Sequence, residues 1–309
     1  MGSRSGQTAG RQTLISNRAI DRLREAAAWP ELDARYEITG VAGRGGMGTV
    51  YVARDHVLDR EVAVKVLDVA DQKGSRAARL QREAHILARL DHPGIVPVHD
   101  AGELPDGRTF YVMKLVKGRR LDDLVAQNAA LADRLNAFGR VLDAVAFAHA
   151  HGVVHRDLKP ENVMVGGFGE VYVMDWGVAQ DSSAESDAAV VGTPGFMPPE
   201  QERPRAPVDA RADIFALGVL LAHLAGEAAP RALRAIAEKA RDPDANRRYQ
   251  NVESLAADLA RFRNQDPIEA YRESIGEQAV RLYRRYELPV LLLLAYIVMR
   301  FVVLVWRGI

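Results

Sequence analysis

The chain has 309 residues, which is enough to bury the core of one large domain or of two modest ones. Its 41 Lys and Arg residues balance 41 Asp and Glu residues, so the sequence lacks the basic excess that marks nucleic-acid-binding proteins. It contains no cysteine, which excludes disulfide bonds, thiolate chemistry and Cys-ligated zinc.

Hydrophobic periodicity divides the sequence into an N-terminal extension, a mostly β part and a mostly α part. Alternating valines with glycines between them indicate strands, and apolar residues three and four positions apart indicate helices. We therefore predict an α+β fold. In chain order, the predicted elements are a helix at 14–28 within the extension of residues 1–35, strands within 36–69, a helix at 76–90, strands at 95–103 and 109–116, and helices from residue 121 onward, interrupted by a hairpin at 163–174.

A glycine-rich stretch lies within the predicted β part. Glycine allows backbone amides to approach phosphate oxygens because it has no Cβ. A dinucleotide-binding turn is the alternative, but it requires a helix directly after the glycines, and a strand pattern follows them here. We therefore predict a β-hairpin that covers the phosphates of a nucleotide. Its candidate binding residues are Gly43, Arg44, Gly45, Gly46, Met47, Gly48 and Val50.

Lys65 stands among the apolar residues of a predicted strand. A buried ammonium group is costly without an anion, so Lys65 needs an anionic partner. Two partners are expected, namely the phosphates of ATP and the carboxylate of Glu83 in the following helix. The alternative interpretation of Glu83 is an ordinary helix residue that faces the solvent.

The most informative motif occupies residues 155–162. Asp157 is suited to accept the proton of an attacking hydroxyl, Lys159 to neutralise charge on a phosphoryl group in transfer, and Asn162 to bind a magnesium ion. Asp175 follows the predicted hairpin, and its carboxylate together with Asn162 suits the oxygen coordination of Mg²⁺. The ring of Trp176 is expected to pack inward behind Asp175. This combination of residue types predicts phosphoryl transfer.

Together these motifs resemble those of the bacterial serine/threonine protein kinases of eukaryotic type, over residues 36–265. The position of Lys159, two residues after Asp157, resembles the pattern of the serine/threonine class and not that of the tyrosine class. The resemblance implies a bilobal protein-kinase fold, with a β-rich N-lobe at about 36–113 and a helical C-lobe at about 117–265. It implies transfer of the γ-phosphoryl group of Mg-ATP, with Mn²⁺ as an alternative metal, to Ser and Thr hydroxyls of proteins. All site residues would then converge on one nucleotide-filled cleft.

The same resemblance assigns the adenine-binding and regulatory positions. Met113 matches the gatekeeper, the backbone of Lys114 and Val116 would bond the base, and Ala63 would line the nucleotide. Arg156, next to the catalytic acid, is a candidate receptor for a phosphate added to the loop that follows Gly177 by autophosphorylation. The serines of that loop are Ser182, Ser183 and Ser186.

Other matches imply structural roles. Glu200 would pair with Arg248, and Asp213 would anchor the backbone of the catalytic loop. Thr193 is expected to place a structural hydroxyl near Asp157. Substitution of Glu200, Arg248 or Asp213 should therefore impair folding as much as chemistry.

The C-terminal residues 288–306 are almost wholly apolar, apart from Arg300 near one end. They predict a single-pass transmembrane helix after a juxtamembrane segment at 266–287. The alternatives are a helix docked on a partner or lying in the membrane interface. Because more arginines precede the span than follow it, we expect the kinase domain to face the cytoplasm from the inner membrane. These arginines are Arg281, Arg284 and Arg285 before the span and Arg307 after it.

A second function class is a catalytically silent kinase-like protein that signals by binding. Its support is Trp176 in place of the usual Phe, Pro198 in place of the usual Ala, and a short connection after Gly226 where relatives carry an extra helix. Against it, every residue expected to touch metal or phosphate is retained. The enzyme hypothesis implies ATP and protein substrates as partners, no nucleic acid, and leaves a homodimer open.

Overall fold

The computed structural model describes residues 29–45, 48–67, 75–176, 180–181, 193–203 and 208–306. These residues form two compact units. The first unit contains the chain up to Gln81 together with Val98–Leu115, and the second contains Arg82–Pro97 and the chain from Val116 onward.

The first unit is built on a five-stranded antiparallel sheet with the order β1-β2-β3-β5-β4. The alternating valines of β3 place Val62, Val64 and Val66 in a hydrophobic cluster on one face, where all three are almost fully buried. The predicted strands of this region are therefore confirmed. The strands are β1 (Tyr36–Gly45), β2 (Gly48–Asp55), β3 (Arg60–Val66), β4 (Val98–Glu103) and β5 (Thr109–Lys114).

Two details of the first unit differ from the prediction or extend it. The strand expected from Ile95 begins only at Val98, because Pro97 has no backbone N–H to donate to a ladder. The end of the N-terminal extension packs against the sheet, since Trp29 and Leu32 contact the hydrophobic cluster. The helix predicted earlier in the extension lies outside the described residues.

The first helix, α1 (Ser75–Arg89), spans the boundary between the two units. Its predicted apolar face is confirmed, because the side chains of Leu80, Ala84 and Leu87 are all buried. The helix ends before a turn in which the backbone N–H of Ile95 donates to the carbonyl of His92.

The second unit is mostly helical. The core of α3 repeats with the helical period at Phe138, Val141, Leu142 and Val145, which are all at most 1% exposed. The described helices of the second unit are α2 (Leu121–Ala126), α3 (Leu131–Ala150), α4 (Arg211–Ala225), α5 (Arg231–Ala240), α6 (Val252–Arg263) and α7 (Ile275–Trp306).

Short strands interrupt the helices of the second unit. The predicted hairpin at 163–174 is confirmed, and a third strand joins it, so that the sheet has the order β6-β8-β9. A two-stranded sheet pairs β7 with β10. The strands are β6 (Gly118–Arg120), β7 (Val153–Val154), β8 (Val163–Gly166), β9 (Val171–Val173) and β10 (Gln180–Asp181), and a 3₁₀ helix covers Pro160–Asn162.

The C-terminal helix α7 includes the segment for which a membrane span is predicted. Its apolar side chains at 291–294 and 296–299 are exposed. Within the residues that the structure describes, we found no helix that combines the length and the apolarity needed to cross a membrane. The predicted span is therefore not confirmed.

Candidate active site

The glycine-rich stretch forms the turn of a β-hairpin. Gly43 pairs with Val50 and Gly45 pairs with Gly48 across β1 and β2. A strand therefore follows the glycines, as predicted, and the dinucleotide-binding alternative, which requires a helix at this point, is excluded. Gly46 and Met47 lie outside the described residues.

The glycines of this hairpin have two different roles. Gly48 adopts a φ of 139°, and a Cβ there would lie 2.1 Å from the carbonyl oxygen of Val66, so the fold itself requires glycine at this position. Among the described residues, nothing lies within 4 Å of a Cβ added at Gly43 or Gly45. This part of the chain therefore leaves space beside these two backbones, which is the space that a phosphate group needs to approach their amides.

Lys65 lies on β3, between β2 and β5, and is only 7% exposed. It pairs with Val50 on one side and with Tyr111 on the other, and its Nζ lies 5.8 Å from the centre of the Tyr111 ring. Two residue pairs along the same ladder, Ala63 faces Met113, and both side chains are buried. Four predicted nucleotide-binding residues thus share neighbouring strands of one sheet, namely Val50, Ala63, Lys65 and Met113.

Glu83 is 1% exposed on α1, so it is not the solvent-facing helix residue of the alternative interpretation. Its pairing with Lys65 stays a prediction, as does the contact of Lys114 and Val116 with adenine. Lys114 is the exposed last residue of β5, and Val116 is the first residue of the second stretch of chain in the second unit.

The catalytic-loop residues of the second unit form one hydrogen-bonded cluster. Thr193 Oγ1 donates to Asp157 Oδ1 over 2.7 Å, and Lys159 Nζ lies 3.0 Å from Asp157 Oδ2 and 2.7 Å from Thr193 Oγ1. Asn162 Nδ2 donates to the Asp157 carbonyl oxygen over 2.9 Å. The structure therefore brings together the predicted Asp157, Lys159 and Asn162, and it places Thr193 beside them as expected.

A buried carboxylate holds the backbone of this loop. Asp213 of α4 accepts hydrogen bonds of 2.8 Å from the backbone N–H groups of His155 and Arg156, and a third of 2.8 Å from His149 Nε2. Burial by itself would raise the pKa of Asp213, but the bond from His149 and the neighbouring His155 hold that pKa below its ordinary value. The predicted anchoring role of Asp213 agrees with these contacts.

The second predicted metal ligand lies directly after β9. Asp175 is exposed and adopts a φ of 57°, and the preceding Met174 donates its backbone N–H to the Asn162 carbonyl over 2.7 Å. That bond links the two stretches that carry Asn162 and Asp175. Among the described residues no group of three or more His, Cys, Asp and Glu forms a metal cage. One carboxylate and one amide oxygen fit Mg²⁺, which completes its octahedral coordination with water and phosphate oxygens.

Two further contacts stabilise the region around the loop. Arg248, whose side chain is fully buried, forms a bidentate ion pair with Glu200 at 2.6 and 2.9 Å, as predicted. Gln201 Nε2 donates to the Arg156 carbonyl over 2.7 Å. Sequence reasoning missed Gln201 and His149, because each contacts a residue far away along the chain and neither belongs to a motif that suggested its partner.

Comparisons with known proteins agree with this geometry. The protein kinase domain family matches residues 36–268. The serine/threonine-protein kinase PknB of Mycolicibacterium smegmatis is 42% identical over 202 residues, which cover 62% of this chain and 32% of that protein. The kinase PrkC of Bacillus subtilis is 33% identical over 282 residues, which cover 80% of this chain and 43% of that protein. The chain thus spans less than half the length of these curated relatives.

A solved structure shows the same fold. The kinase domain of Mycobacterium tuberculosis PknI is similar with a TM-score of 0.58 and 26% identity, over 75% of this chain and 97% of that domain. The similarity covers both the β-sheet lobe and the helical lobe of a protein kinase. The chain therefore belongs to the protein kinase family, among the bacterial serine/threonine protein kinases of eukaryotic type.

Proposed function

We propose that this protein transfers the γ-phosphoryl group of Mg-ATP to serine and threonine hydroxyls of protein substrates. The cluster of Asp157, Lys159 and Thr193 carries this proposal. One carboxylate oxygen of Asp157 holds a threonine hydroxyl at 2.7 Å, and its other oxygen holds an ammonium group at 3.0 Å. A carboxylate arranged in this way is suited to receive a hydroxyl proton next to a positive charge.

In the proposed reaction, Asp157 orients the substrate hydroxyl and accepts its proton as the oxygen attacks the γ-phosphorus. The bond from that phosphorus to the β–γ bridging oxygen breaks, and ADP leaves. Lys159 neutralises negative charge that develops on the transferring phosphoryl group. Asn162 and Asp175 would hold the metal, and Lys65 would hold the nucleotide phosphates. Bound Mg-ATP supplies the phosphoryl group and a divalent charge beside it. Most of the rate acceleration would come from positioning and charge stabilisation, because no covalent enzyme intermediate is needed.

The test is phosphoryl transfer from radiolabelled ATP to the protein and to a general protein substrate. Asp157→Asn should abolish incorporation, because the amide cannot accept the proton. Asp133→Asn, the same change at an exposed position of α3, should leave incorporation unchanged. Equal labelling of the wild type and Asp157→Asn would contradict the enzyme proposal and favour a silent protein that signals by binding.

We also propose autophosphorylation in the loop that contains Ser182, Ser183 and Ser186, all of which lie outside the described residues. Arg156 supports this proposal, because it lies beside the catalytic acid and its guanidinium donates to the Val208 carbonyl over 3.3 Å. A phosphoserine would offer this arginine a stronger acceptor. Phosphopeptide mapping of active protein that finds the three serines unmodified would refute it. A homodimer stays a prediction.

A membrane anchor at residues 288–306 is a third proposal, with the kinase domain on the cytoplasmic side of the inner membrane. Its support is the exposure of large apolar side chains along α7, among them Leu292 at 63% and Phe301 at 67%. The arginines that precede the segment favour the cytoplasmic orientation. Carbonate extraction of membranes tests the anchor, with a chain that ends at residue 287 as the control. Release of the full chain into the soluble fraction would contradict a spanning helix.

A further inference from the structure

The backbone of Asp175 adopts an unfavourable conformation. Its φ of 57° lies in the left-handed region, which residues other than glycine adopt rarely, although Asp tolerates it better than most. Such a conformation persists only where the surrounding structure holds it. The contacts around Asp175, including those of its neighbours, therefore decide whether it stays in this conformation.

Trp176 supplies one of these contacts. Its side chain is 1% exposed, and its indole Nε1 donates to the carbonyl oxygen of Val173 over 3.2 Å. Val173 ends β9 and Trp176 lies three residues later, so this bond closes a short loop around Asp175. Phenylalanine, the usual residue at this position, provides a buried ring but no donor for the Val173 carbonyl.

The Trp176 ring also packs on the catalytic loop. Its centre lies 4.6 Å from that of His155, with 54° between the ring planes. His155 Nδ1 accepts from the backbone N–H of Asp157 over 3.3 Å, so Nε2 carries the proton and donates to the Met174 carbonyl over 3.0 Å. The imidazole is thus bonded at both nitrogens, which makes it a fixed surface for the indole.

We propose that Trp176 is a positioning residue that holds Asp175 in its metal-binding conformation through the indole bond to Val173. This inference rests on the proposed role of Asp175 as a metal ligand. With a phenylalanine here, residue 176 would add packing but no hydrogen bond to the contacts that hold the left-handed backbone. In this chain a directional bond adds to the packing, so the conformation is set before any ligand binds.

Two variants test the proposal. Trp176→Phe removes the donor but also leaves the smaller ring loose, so a second variant carries β-(3-benzothienyl)alanine at position 176, where sulfur replaces the indole N–H at nearly constant shape. Trp29→Phe is the matched control, because the indole Nε1 of Trp29 is buried and has no hydrogen-bond partner among the described residues. All variants are compared with the wild type as the whole 309-residue chain.

Amide hydrogen exchange without nucleotide is the first measurement. Loss of one buried hydrogen bond should accelerate exchange at residues 174–176 about two- to tenfold in both variants, while exchange in α3 stays unchanged. The second measurement is the Mg²⁺ concentration for half-maximal binding of a fluorescent ATP analogue, which should rise about two- to tenfold. The Trp29→Phe control should match the wild type in both.

Unchanged exchange at residues 174–176 in the benzothienyl variant would overturn the proposal. An equal acceleration of exchange in α3 would also overturn it, since that would indicate a general loss of stability. An unchanged Mg²⁺ concentration for half-maximal binding would overturn it as well. The exchange measurement needs no catalysis and no nucleotide. It therefore reports on Trp176 even if phosphoryl transfer is absent, and the failure of this proposal can be distinguished from the failure of the proposed function.

Discussion

His149 and Asp213 lie 64 residues apart in the sequence and form a 2.8 Å hydrogen bond in which the carboxylate is fully buried. The same carboxylate holds the backbone N–H groups of His155 and Arg156. An asparagine at position 213 has only one acceptor oxygen, so it would leave buried donors unsatisfied. We expect Asp213→Asn to lower the free energy of unfolding by about 2–3 kcal/mol, measured by urea denaturation at pH 7.

A surface pair with the same chemistry provides the control for this prediction. Asp122 and His223 also lie 2.8 Å apart, but both are about two-fifths exposed. Asp122→Asn should therefore change the stability by less than about 0.5 kcal/mol. A comparable loss in the two variants would show that burial is not the reason for the effect.

The stability of the wild type should also depend on pH through Asp213. Because its pKa is lowered in the folded state, the carboxylate contributes stability above the ordinary Asp pKa of about 3.9 and loses it as the pH falls through the folded-state pKa. The difference between the wild type and Asp213→Asn should thus be largest near neutral pH and shrink at acidic pH. Denaturation curves recorded down to pH 3 test this, and a constant difference would contradict it.

The hydroxyl of Thr193 bridges Asp157 and Lys159, with 2.7 Å to each. Thr193→Val keeps the shape but removes the hydroxyl, so both charged groups lose a partner that positions them. We expect kcat for phosphoryl transfer to fall about ten- to hundredfold, as for the loss of a hydrogen bond to a charged group. Thr193→Ser keeps the hydroxyl and should remain within about threefold of the wild type. Equal activity of the two variants would show that the bridge is not used.

Arg248 and Arg247 are adjacent arginines in opposite environments. The side chain of Arg248 is fully buried in its bidentate pair with Glu200, whereas Arg247 is 75% exposed and lies 3.7 Å from Asp244. Lysine keeps the charge but cannot form the two parallel bonds. Arg248→Lys should cost about 1–3 kcal/mol of stability, and Arg247→Lys less than about 0.5 kcal/mol. Thermal denaturation of both variants tests the difference, and a similar small effect of both would argue against it.

Replacement of two helical glycines by alanine should change the stability of the protein in opposite directions. At Gly218 in α4, a Cβ would lie 2.7 Å from the Cβ of Ala240 and 2.8 Å from the backbone nitrogen of Arg241, so α4 and α5 would have to move apart. We expect Gly218→Ala to destabilise the protein by about 1–3 kcal/mol.

At Gly139 in α3, the nearest atom to an added Cβ is 4.0 Å away. Gly139→Ala should therefore stabilise the protein by about 0.5–1 kcal/mol, because alanine favours the helix and restricts the unfolded chain. Chemical denaturation of both variants measures the two effects. Effects of the same sign would contradict the packing that the structure assigns to one of these glycines.

Much of the candidate site was predictable from the sequence, because its chemistry is local. Asp157, Lys159 and Asn162 lie on one short loop, so their spacing alone brings them within reach of one another. The strand pattern after the glycines likewise predicted a hairpin, because a period of two residues is set by the backbone. The apolar face of α1 followed from its helical period in the same way.

Tertiary structure alone decided which distant residues hold these parts in place. His149 bonds to Asp213, the buried anchor of the catalytic loop, and Gln201 bonds to the Arg156 carbonyl of the loop itself. No local period connects either residue to its partner. The steric need for glycine at position 218 depends on the approach of α5, and the indole of Trp176 acquires a role only where the Val173 carbonyl faces it. A sequence states residue types and spacings directly, whereas such contacts arise from the packing of whole elements, which depends on the entire chain.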